Sequence, residues 1–135
     1  MADAFKFELV SPERLLVSEQ VTEVIIPATL GEMTVLAKHA PTMTTIKAGV
    51  VTVKAASGQV HKYVVFGGFA DITPTACTLL AESAVPQAEA DRSLFESRIE
   101  ALRADISGAP SDEHRTRFEH MLADMTHLHN TVHPN

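Results

Sequence analysis

The sequence predicts a two-part fold, an antiparallel β-sandwich of about ten short strands followed by an antiparallel two-helix hairpin. Short β-branched and apolar runs, separated by turn residues, fill the first 85 positions. Near Pro86 the apolar residues change from a period of two to a helical period. The 135 residues suffice for one modest core. We therefore expect the sandwich to span residues 1–85 and the hairpin residues 86–135.

The first strands are marked by alternation and by breaks. In FKFELV, Phe5, Phe7 and Leu9 alternate with side chains that face the other way, and Ser11-Pro12 ends the run. VTEVIIP is rich in β-branched residues. We expect this second strand to stop at Pro27, because proline cannot donate a hydrogen bond to a neighbouring strand.

Glycine-containing turns mark the later strands. Thr29-Leu30-Gly31 predicts a turn, and Ser57-Gly58 predicts a β-hairpin between GVVTVKAA and QVHKYVVF. We expect Gly67-Gly68 to break the chain again before ACTLLA, the last buried strand.

The helical part has two apolar stripes. Gly108 and Pro110 end the first helix, since glycine suits a C-terminal cap and proline cannot continue the ladder. Ser111 or Asp112 can cap the second helix. The two stripes consist of Phe95, Ile99, Leu102 and Ile106, and of Phe118, Met121, Leu122, Met125 and Leu128.

Composition excludes several classes of function. The net charge of −6, with lysines scattered singly, argues against nucleic-acid binding. The single cysteine, Cys77, lies in an apolar run and cannot form an internal disulfide. No window approaches the roughly 20 apolar residues that a membrane span needs, and MADAFKFELV reads as neither a secretory signal nor a transit peptide.

No pattern of catalytic or metal-binding residues stands out. His129 and His133 have i, i+4 spacing, but no cysteine or carboxylate cluster joins them, so we expect no metal site. The motifs of nucleophile elbows and phosphate-binding loops are absent. These observations favour a binding or structural protein without catalytic residues or cofactors, and leave a free-standing β-sandwich enzyme as the distant alternative.

Several short motifs, taken in order, resemble the epsilon subunit of bacterial F-type ATP synthases over essentially the full length. The match is strongest through residue 85. The motifs are Ser11-Pro12-Glu13-Arg14, Gly31-Glu32, His39-Ala40-Pro41, Ile46-Lys47-Ala48-Gly49, Gly67-Gly68-Phe69 and Leu80-Ala81-Glu82-Ser83-Ala84.

The resemblance implies a non-catalytic rotor subunit in the central stalk, peripheral to the cytoplasmic face of the bacterial inner membrane. It implies that the sandwich contacts the gamma subunit and the c ring and helps to couple proton flow to ATP synthesis. By resemblance, the c-ring contact includes Gly31 and Glu32. The gamma contact includes Ser11, His39, Ala40, Pro41 and Thr44.

The chain departs from the family pattern in two places. Thr34 stands where a glycine is common, so the strand after the turn could take a different path. In the family's ATP-binding motif at the first helix only Asp91 matches, and Leu94 replaces the arginine that would contact a phosphate. We therefore expect no nucleotide-binding site.

The hairpin is also too acidic for the inhibitory role found in some family members. Residues 86–135 carry nine acidic and five basic side chains, net −4, which disfavours approach to an acidic segment of the catalytic head. The alternative within the family is an ATP-sensing inhibitor whose hairpin reaches the alpha and beta subunits.

Overall fold

The computed structural model describes residues 3–134. The chain separates into two compact units between Pro86 and Gln87, and each is described by itself. Met1, Ala2 and Asn135, which belong to the predicted ranges 1–85 and 86–135, lie outside the described residues.

The first unit is a closed β-structure, which together with the helices of the second unit confirms the predicted fold class. The strands follow the order β1-β6-β5-β4-β2-β3, β7 adds to β5, and β1 also pairs with β2, so the sheet closes on itself. The seven strands are β1 (Phe5–Val10), β2 (Leu15–Ala28), β3 (Gly31–Val35), β4 (Thr42–Ala55), β5 (Val60–Ile72), β6 (Ala76–Ala81) and β7 (Ala84–Pro86).

The prediction of about ten strands was wrong, since the described residues form seven. Strands β2, β4 and β5 are 14, 14 and 13 residues long and bend instead of ending. At the predicted break, Gly67 and Gly68 have positive φ values of 98° and 140° but stay within β5. A Cβ atom on Gly68 would collide with the carbonyl oxygen of Leu80. The two glycines thus form an irregularity that keeps the strand continuous.

The expected stop at Pro27 was also wrong. Strand β2 continues through the proline to Ala28, and its register against β4 shifts between Ile25 and Ala28. Proline is tolerated at such a shift because no ladder hydrogen bond is required from its nitrogen. Gly49 leaves the space that the proline ring needs, since a Cβ there would overlap Pro27.

One pair of strands departs from the predicted antiparallel arrangement. Strands β1 and β6 are parallel, with a register from Lys6 opposite Ala76 to Val10 opposite Leu80. The ring β1-β2-β4-β5-β6 contains five strands, and an odd ring cannot alternate direction at every step. One parallel pair is therefore a topological requirement of closure.

The inward positions of the strands supply the core of this unit. Phe7, Leu9 and Leu79 are completely buried, and so are Val24 and Ile72. Burial of such a side chain contributes roughly 1.5–3 kcal/mol relative to exposure. The predicted alternation of β1 is confirmed, because Phe5, Phe7 and Leu9 face the core.

The second unit is the predicted helical hairpin. After a short 3-10 turn (Gln87–Glu89), helix α1 (Arg92–Ser107) and helix α2 (Asp112–Val132) are joined by a tight loop. Asp91 caps α1, Gly108 ends it, and Ser111 caps α2 by accepting from the backbone N–H of His114. Phe95, Leu102, Met125 and Leu128 are buried as predicted, whereas Met121 remains exposed.

An aromatic cluster joins the two helices of the hairpin. The His129 ring stacks on Phe95 at 5.2 Å between centroids, and His133 meets Phe95 edge-on at 5.7 Å. The Nε2–H of His133 donates to the carbonyl oxygen of Ala90 at 2.7 Å. The end of α2 is therefore tied to the start of α1.

Neither helix in the described part of the chain combines the length and the apolar character that crossing a bilayer requires.

Candidate functional site: a contact surface on the sandwich

The turn between β2 and β3 is exposed but firmly held. The backbone N–H of Thr29 donates to the carbonyl oxygen of Thr45 at 3.2 Å, and its hydroxyl donates to the same oxygen. Gly31 has φ 135°, a conformation that favours glycine. Leu30 is fully exposed and Glu32 is exposed. The turn therefore presents an apolar and an acidic side chain on a fixed backbone.

The loop between β3 and β4 holds His39, Ala40 and Pro41 in a defined shape. Lys38 takes a positive φ of 66°, and its backbone N–H donates to the carbonyl oxygen of Pro74 at 2.8 Å. The Nδ1–H of half-buried His39 donates to the carbonyl oxygen of Ala40 at 2.7 Å. The imidazole thus shapes its own loop, while Ala40 and Pro41 remain exposed.

Thr44 lies on a different face from its two neighbours. It stands opposite Ala70, which is completely buried, and is itself half-buried. Met43 and Thr45, one residue to either side, point outward and are exposed. A partner that meets this part of β4 from outside would touch Met43 and Thr45 before Thr44.

Ser11 opens a tight turn between β1 and β2. Its backbone N–H donates to the carbonyl oxygen of Arg14 at 2.9 Å, and the N–H of Arg14 donates back at 3.3 Å. Residues 11–14, Leu16 and residues 82–84 line a cavity of about 220 Å3 beside this turn.

Apart from Thr44, which lies on β4, the predicted gamma-contact residues fall near the two ends of the β1–β6 strand pair. The His39 loop is anchored to Pro74, next to the start of β6, whereas Ser11 follows the end of β1. Strands β1 and β6 run parallel between these points, and at about 3.3 Å per residue they separate Ser11 from the loop by roughly 17–20 Å. The residues do not form a single cluster.

An exposed row of apolar side chains, which the sequence analysis missed, begins beside Ser11 and runs across four adjacent strands. Phe69 stands opposite Leu80, Leu80 opposite Val10, and Val10 opposite Leu15, so the four share the outer face of adjacent strands. Phe69, Leu80 and Leu15 are each about half exposed. We call Phe69, Leu80, Val10 and Leu15 the apolar band.

A contiguous apolar row on a sheet that otherwise alternates is a sign of a contact surface, because isolated exposed apolar residues are ordinary but grouped ones are not. The signal was present in the sequence. Phe69 and Leu80 occupy outward positions of the alternation, where polar side chains are expected.

The titratable groups give no support to catalysis. Burial, with a smaller contribution from Asp71, raises the pKa of the Cys77 thiol to about 12, so it is not a thiolate near neutral pH. Burial and then Glu19 raise the pKa of Tyr63. Within residues 3–134, no three metal-ligating side chains converge.

Asp91 is the one residue that matches the family's nucleotide-binding motif, and its side chain caps helix α1 of the hairpin. Its carboxylate accepts the Leu94 N–H at 3.0 Å and the Ser93 hydroxyl at 2.9 Å. These two bonds, with a smaller contribution from His133, lower the pKa of Asp91. Helix capping accounts for this residue without a nucleotide.

Comparison with known proteins identifies the family. The model for the ATP synthase delta/epsilon chain β-sandwich domain matches residues 4–87, which is more than half of the chain. The chain belongs to the ATP synthase delta/epsilon chain family. The resemblance seen in the sequence is thereby confirmed.

Curated relatives match over nearly the whole length. The chain is 65% identical over 133 residues to the ATP synthase epsilon chain of Agrobacterium fabrum, covering 98% of both. It is 64% identical over 132 residues to that of Rhizobium johnstonii, again covering 98% of both.

Two solved structures share the fold. A chain in the Euglena gracilis mitochondrial ATP synthase OSCP/F1/c-ring structure superposes with a TM-score of 0.74 and 26% identity, over 96% of this chain and 82% of that one. A chain in the Tetrahymena thermophila central stalk and c-ring structure gives a TM-score of 0.63 over 97% of both. At 11% identity, the second shows the fold alone.

Proposed function

We propose that this chain is the epsilon subunit of a bacterial F-type ATP synthase and acts as a non-catalytic part of the central stalk. In this role it contacts the gamma subunit and the c ring, turns with them, and helps to couple proton translocation to ATP synthesis. The observation that carries the proposal is the 65% identity, over 98% of both chains, to a protein named ATP synthase epsilon chain.

The sandwich suits a part that transmits force. Its strands close into a ring around a completely buried core, and its exposed turns are held by backbone hydrogen bonds. A protein block of native packing density deforms little, so a load applied at one face reaches the other.

The contact with gamma is proposed to involve Ser11, His39, Ala40, Pro41 and Thr44 together with the apolar band. The band lies at the Ser11 end of β1 and β6, and its exposed apolar area would be removed from water by a partner. This burial favours association at roughly 25 cal/mol per Å2 before the costs of ordering.

The contact with the c ring is proposed to involve Gly31 and Glu32. Both are exposed and begin β3, directly after the turn that Thr29 fixes against Thr45. A turn held in this way loses little conformational entropy when it docks.

The attachment to the membrane is proposed to be peripheral and indirect, on the cytoplasmic face of the bacterial inner membrane. The gamma subunit and the c ring would hold the chain there. The inhibitory and ATP-sensing alternative, in which the hairpin reaches the alpha and beta subunits, is not favoured, because Asp91 caps α1 and Leu94 offers no cation to a phosphate.

The test is binding of the full chain to F1 from which epsilon has been removed, measured by surface plasmon resonance. We expect tight binding of the unchanged chain and an affinity at least tenfold lower for the double variant Phe69→Ser with Leu80→Ser. The variant loses two apolar contacts of about 1–2 kcal/mol each, and about 1.4 kcal/mol corresponds to a tenfold change in affinity.

Val60→Ser is the matched control, since Val60 is 57% exposed on the same strand as Phe69 but lies outside the apolar band. Failure of the unchanged chain to bind F1 would contradict the proposed function. An equal loss of affinity in the control and in the double variant would show that the apolar band is not part of the contact.

A further inference from the structure

The connection between β2 and β3 lacks the backbone that gives the tightest hairpins their shape. Ala28 pairs with Gly31, so Thr29 and Leu30 form the connection. Two-residue hairpin turns favour a positive φ at one or both of these positions, because the turn then matches the twist of the strands. Here the positive φ falls on Gly31 instead. Contacts from outside the hairpin therefore matter for the shape of the turn.

The pairing of β2 with its other neighbour, β4, is interrupted just before this turn. Ile25 pairs with Thr52, and the next pair along β2 is Ala28 with Ile46, which is a shift in register. Pro27, inside the interrupted stretch, has no N–H to donate. The end of β2 that carries the turn therefore joins β4 again only from Ala28 onward.

Two threonine hydroxyls hold the turn beyond this interruption. The hydroxyl of Thr29 donates to the carbonyl oxygen of Thr45 at 3.2 Å, and the backbone N–H of Thr29 donates to the same oxygen. The hydroxyls of the two threonines also share a short hydrogen bond. Because the Thr29 hydroxyl gives its proton to the carbonyl oxygen, the Thr45 hydroxyl is the donor in that bond. Thr29 is thus held to β4 by its backbone and by its side chain.

These side-chain bonds affect the shape of the turn more than the stability of the sandwich. Both threonines are exposed, so their hydroxyls exchange one hydrogen bond for another with water when the chain folds. Leu30, the next residue, is fully exposed, so its side chain contributes no buried contact to the fold. A turn that is restricted before docking loses less conformational entropy when it docks. The threonine pair therefore suits the positioning of a contact.

We propose that Thr29 and Thr45 are positioning residues, which hold Leu30, Gly31 and Glu32 in the shape in which they meet the c ring. This inference rests on the proposed function, in which Gly31 and Glu32 contact the c ring. It adds Leu30 to that contact, and it explains how an exposed turn keeps one shape under load. The two threonines act through the turn and do not themselves touch the c ring.

The test uses variants of the full chain that separate the hydroxyl of Thr29 from the rest of its side chain. Thr29→Val keeps the branched shape and removes the hydroxyl, whereas Thr29→Ser keeps the hydroxyl. Thr22→Val is the matched control, since Thr22 lies on β2 and its hydroxyl also donates to a carbonyl oxygen of β4, that of Lys54 at 3.4 Å. Urea unfolding first establishes that all variants fold.

The affinity of each variant is then measured for two forms of the enzyme. One is epsilon-depleted F1, which has no c ring, and the other is the complete membrane enzyme in vesicles, depleted of epsilon. Thr29→Val should bind F1 within about twofold of the unchanged chain and should bind the vesicle enzyme about fivefold more weakly, because its turn has more freedom to lose on docking. Thr29→Ser and Thr22→Val should bind both forms as the unchanged chain does.

Several outcomes would overturn the positioning role while leaving the proposed function intact. These are full binding of Thr29→Val to the vesicle enzyme, an equal weakening of Thr29→Val toward F1 and the vesicle enzyme, no recovery with Thr29→Ser, and an equal effect of Thr22→Val. Absence of binding to F1 by the unchanged chain would instead contradict the proposed function itself.

Discussion

The sandwich and the hairpin reach their structures by different means. Among the described residues the sandwich buries twenty apolar side chains, whereas the hairpin buries five, Ala90, Phe95, Leu102, Met125 and Leu128. The sandwich depends on pairings between distant segments, as in the closure of β1 on both β2 and β6. The hairpin depends on caps at Asp91 and Ser111 and on one aromatic cluster.

The sandwich is therefore suited to carry load, whereas the hairpin is stabilised mainly by local interactions. A closed sheet with a continuous core resists local opening, because each strand of the ring β1-β2-β4-β5-β6 is held by two neighbours. Two helices with a small shared core depend more on each capping bond. Substitutions in the two units should therefore differ in how far their effects spread.

The largest expected effects come from removing one buried ring in each unit. Phe7→Ala should lower the free energy of unfolding by about 4 kcal/mol and raise hydrogen exchange throughout the sheet, because Phe7 is completely buried in a shared core. Phe95→Ala should raise exchange mainly in α1 and α2, because its ring partner His129 lies on α2 and its other ring partner, His133, is the C-cap of α2. Hydrogen-exchange mass spectrometry on both variants measures how far the increase in exchange spreads. The same pattern of exchange in both variants would contradict the difference between the two units.

A second effect tests whether the glycines of β5 are structural. Gly68→Ala should cost about 3 kcal/mol in urea unfolding, since the residue has positive φ and its new methyl group would meet the Leu80 carbonyl. Gly58→Ala is the control. Gly58 also has positive φ but open space around it, so about 1 kcal/mol is expected. Similar losses at both positions would show that backbone conformation, and not close packing, explains Gly68.

A smaller effect is expected from the cap of α2. Ser111→Ala should lower hairpin stability by about 1 kcal/mol, because the N–H of His114 loses its acceptor. Thr116→Ala, at an exposed position in the second turn of the same helix, should be neutral or slightly stabilising. The two variants are compared by thermal melting followed at 222 nm, and a larger loss at Thr116 would contradict the capping role.

The smallest effect is a pH dependence of the hairpin. The pKa of Asp91 is lowered in the folded chain, so its contribution is present above the unfolded-state value of about 4 and is lost as the pH falls through the lower folded-state value. Helicity of the unchanged chain should therefore decrease more on acidification below about pH 4 than that of Asp91→Asn, since asparagine caps a helix without a charge. An equal loss of helicity in the two proteins on acidification would contradict this prediction.

Local chemistry made the turns and helix ends predictable from the sequence. Ser57-Gly58, Gly108 and Ser111 act where they were expected to, because the preferences of these residues depend on their own backbone. The continuity of β5 through Gly67 and Gly68 was not predictable in the same way. In the sequence alone, two consecutive glycines predict the end of a strand. Only the pairing of β5 with β6 shows why the strand continues through them.

The contact surface was only partly accessible to sequence reasoning. The motif residues Ser11, His39 and Glu32 were chosen by resemblance, and they stay predictions. The apolar band required the register of four strands, one of them in a parallel pair that no local pattern indicates. The inward position of Thr44 likewise depends on which way β4 faces once it is paired with β5.

The most direct test of the central claim is ATP-driven proton pumping by membrane vesicles whose ATP synthase lacks epsilon, measured before and after addition of the purified full chain. If the chain is a rotor part that couples but does not catalyse, pumping per ATP hydrolysed should rise to the level of the complete enzyme, while the chain alone hydrolyses no ATP. Binding of the chain without any gain in pumping per ATP would contradict the account.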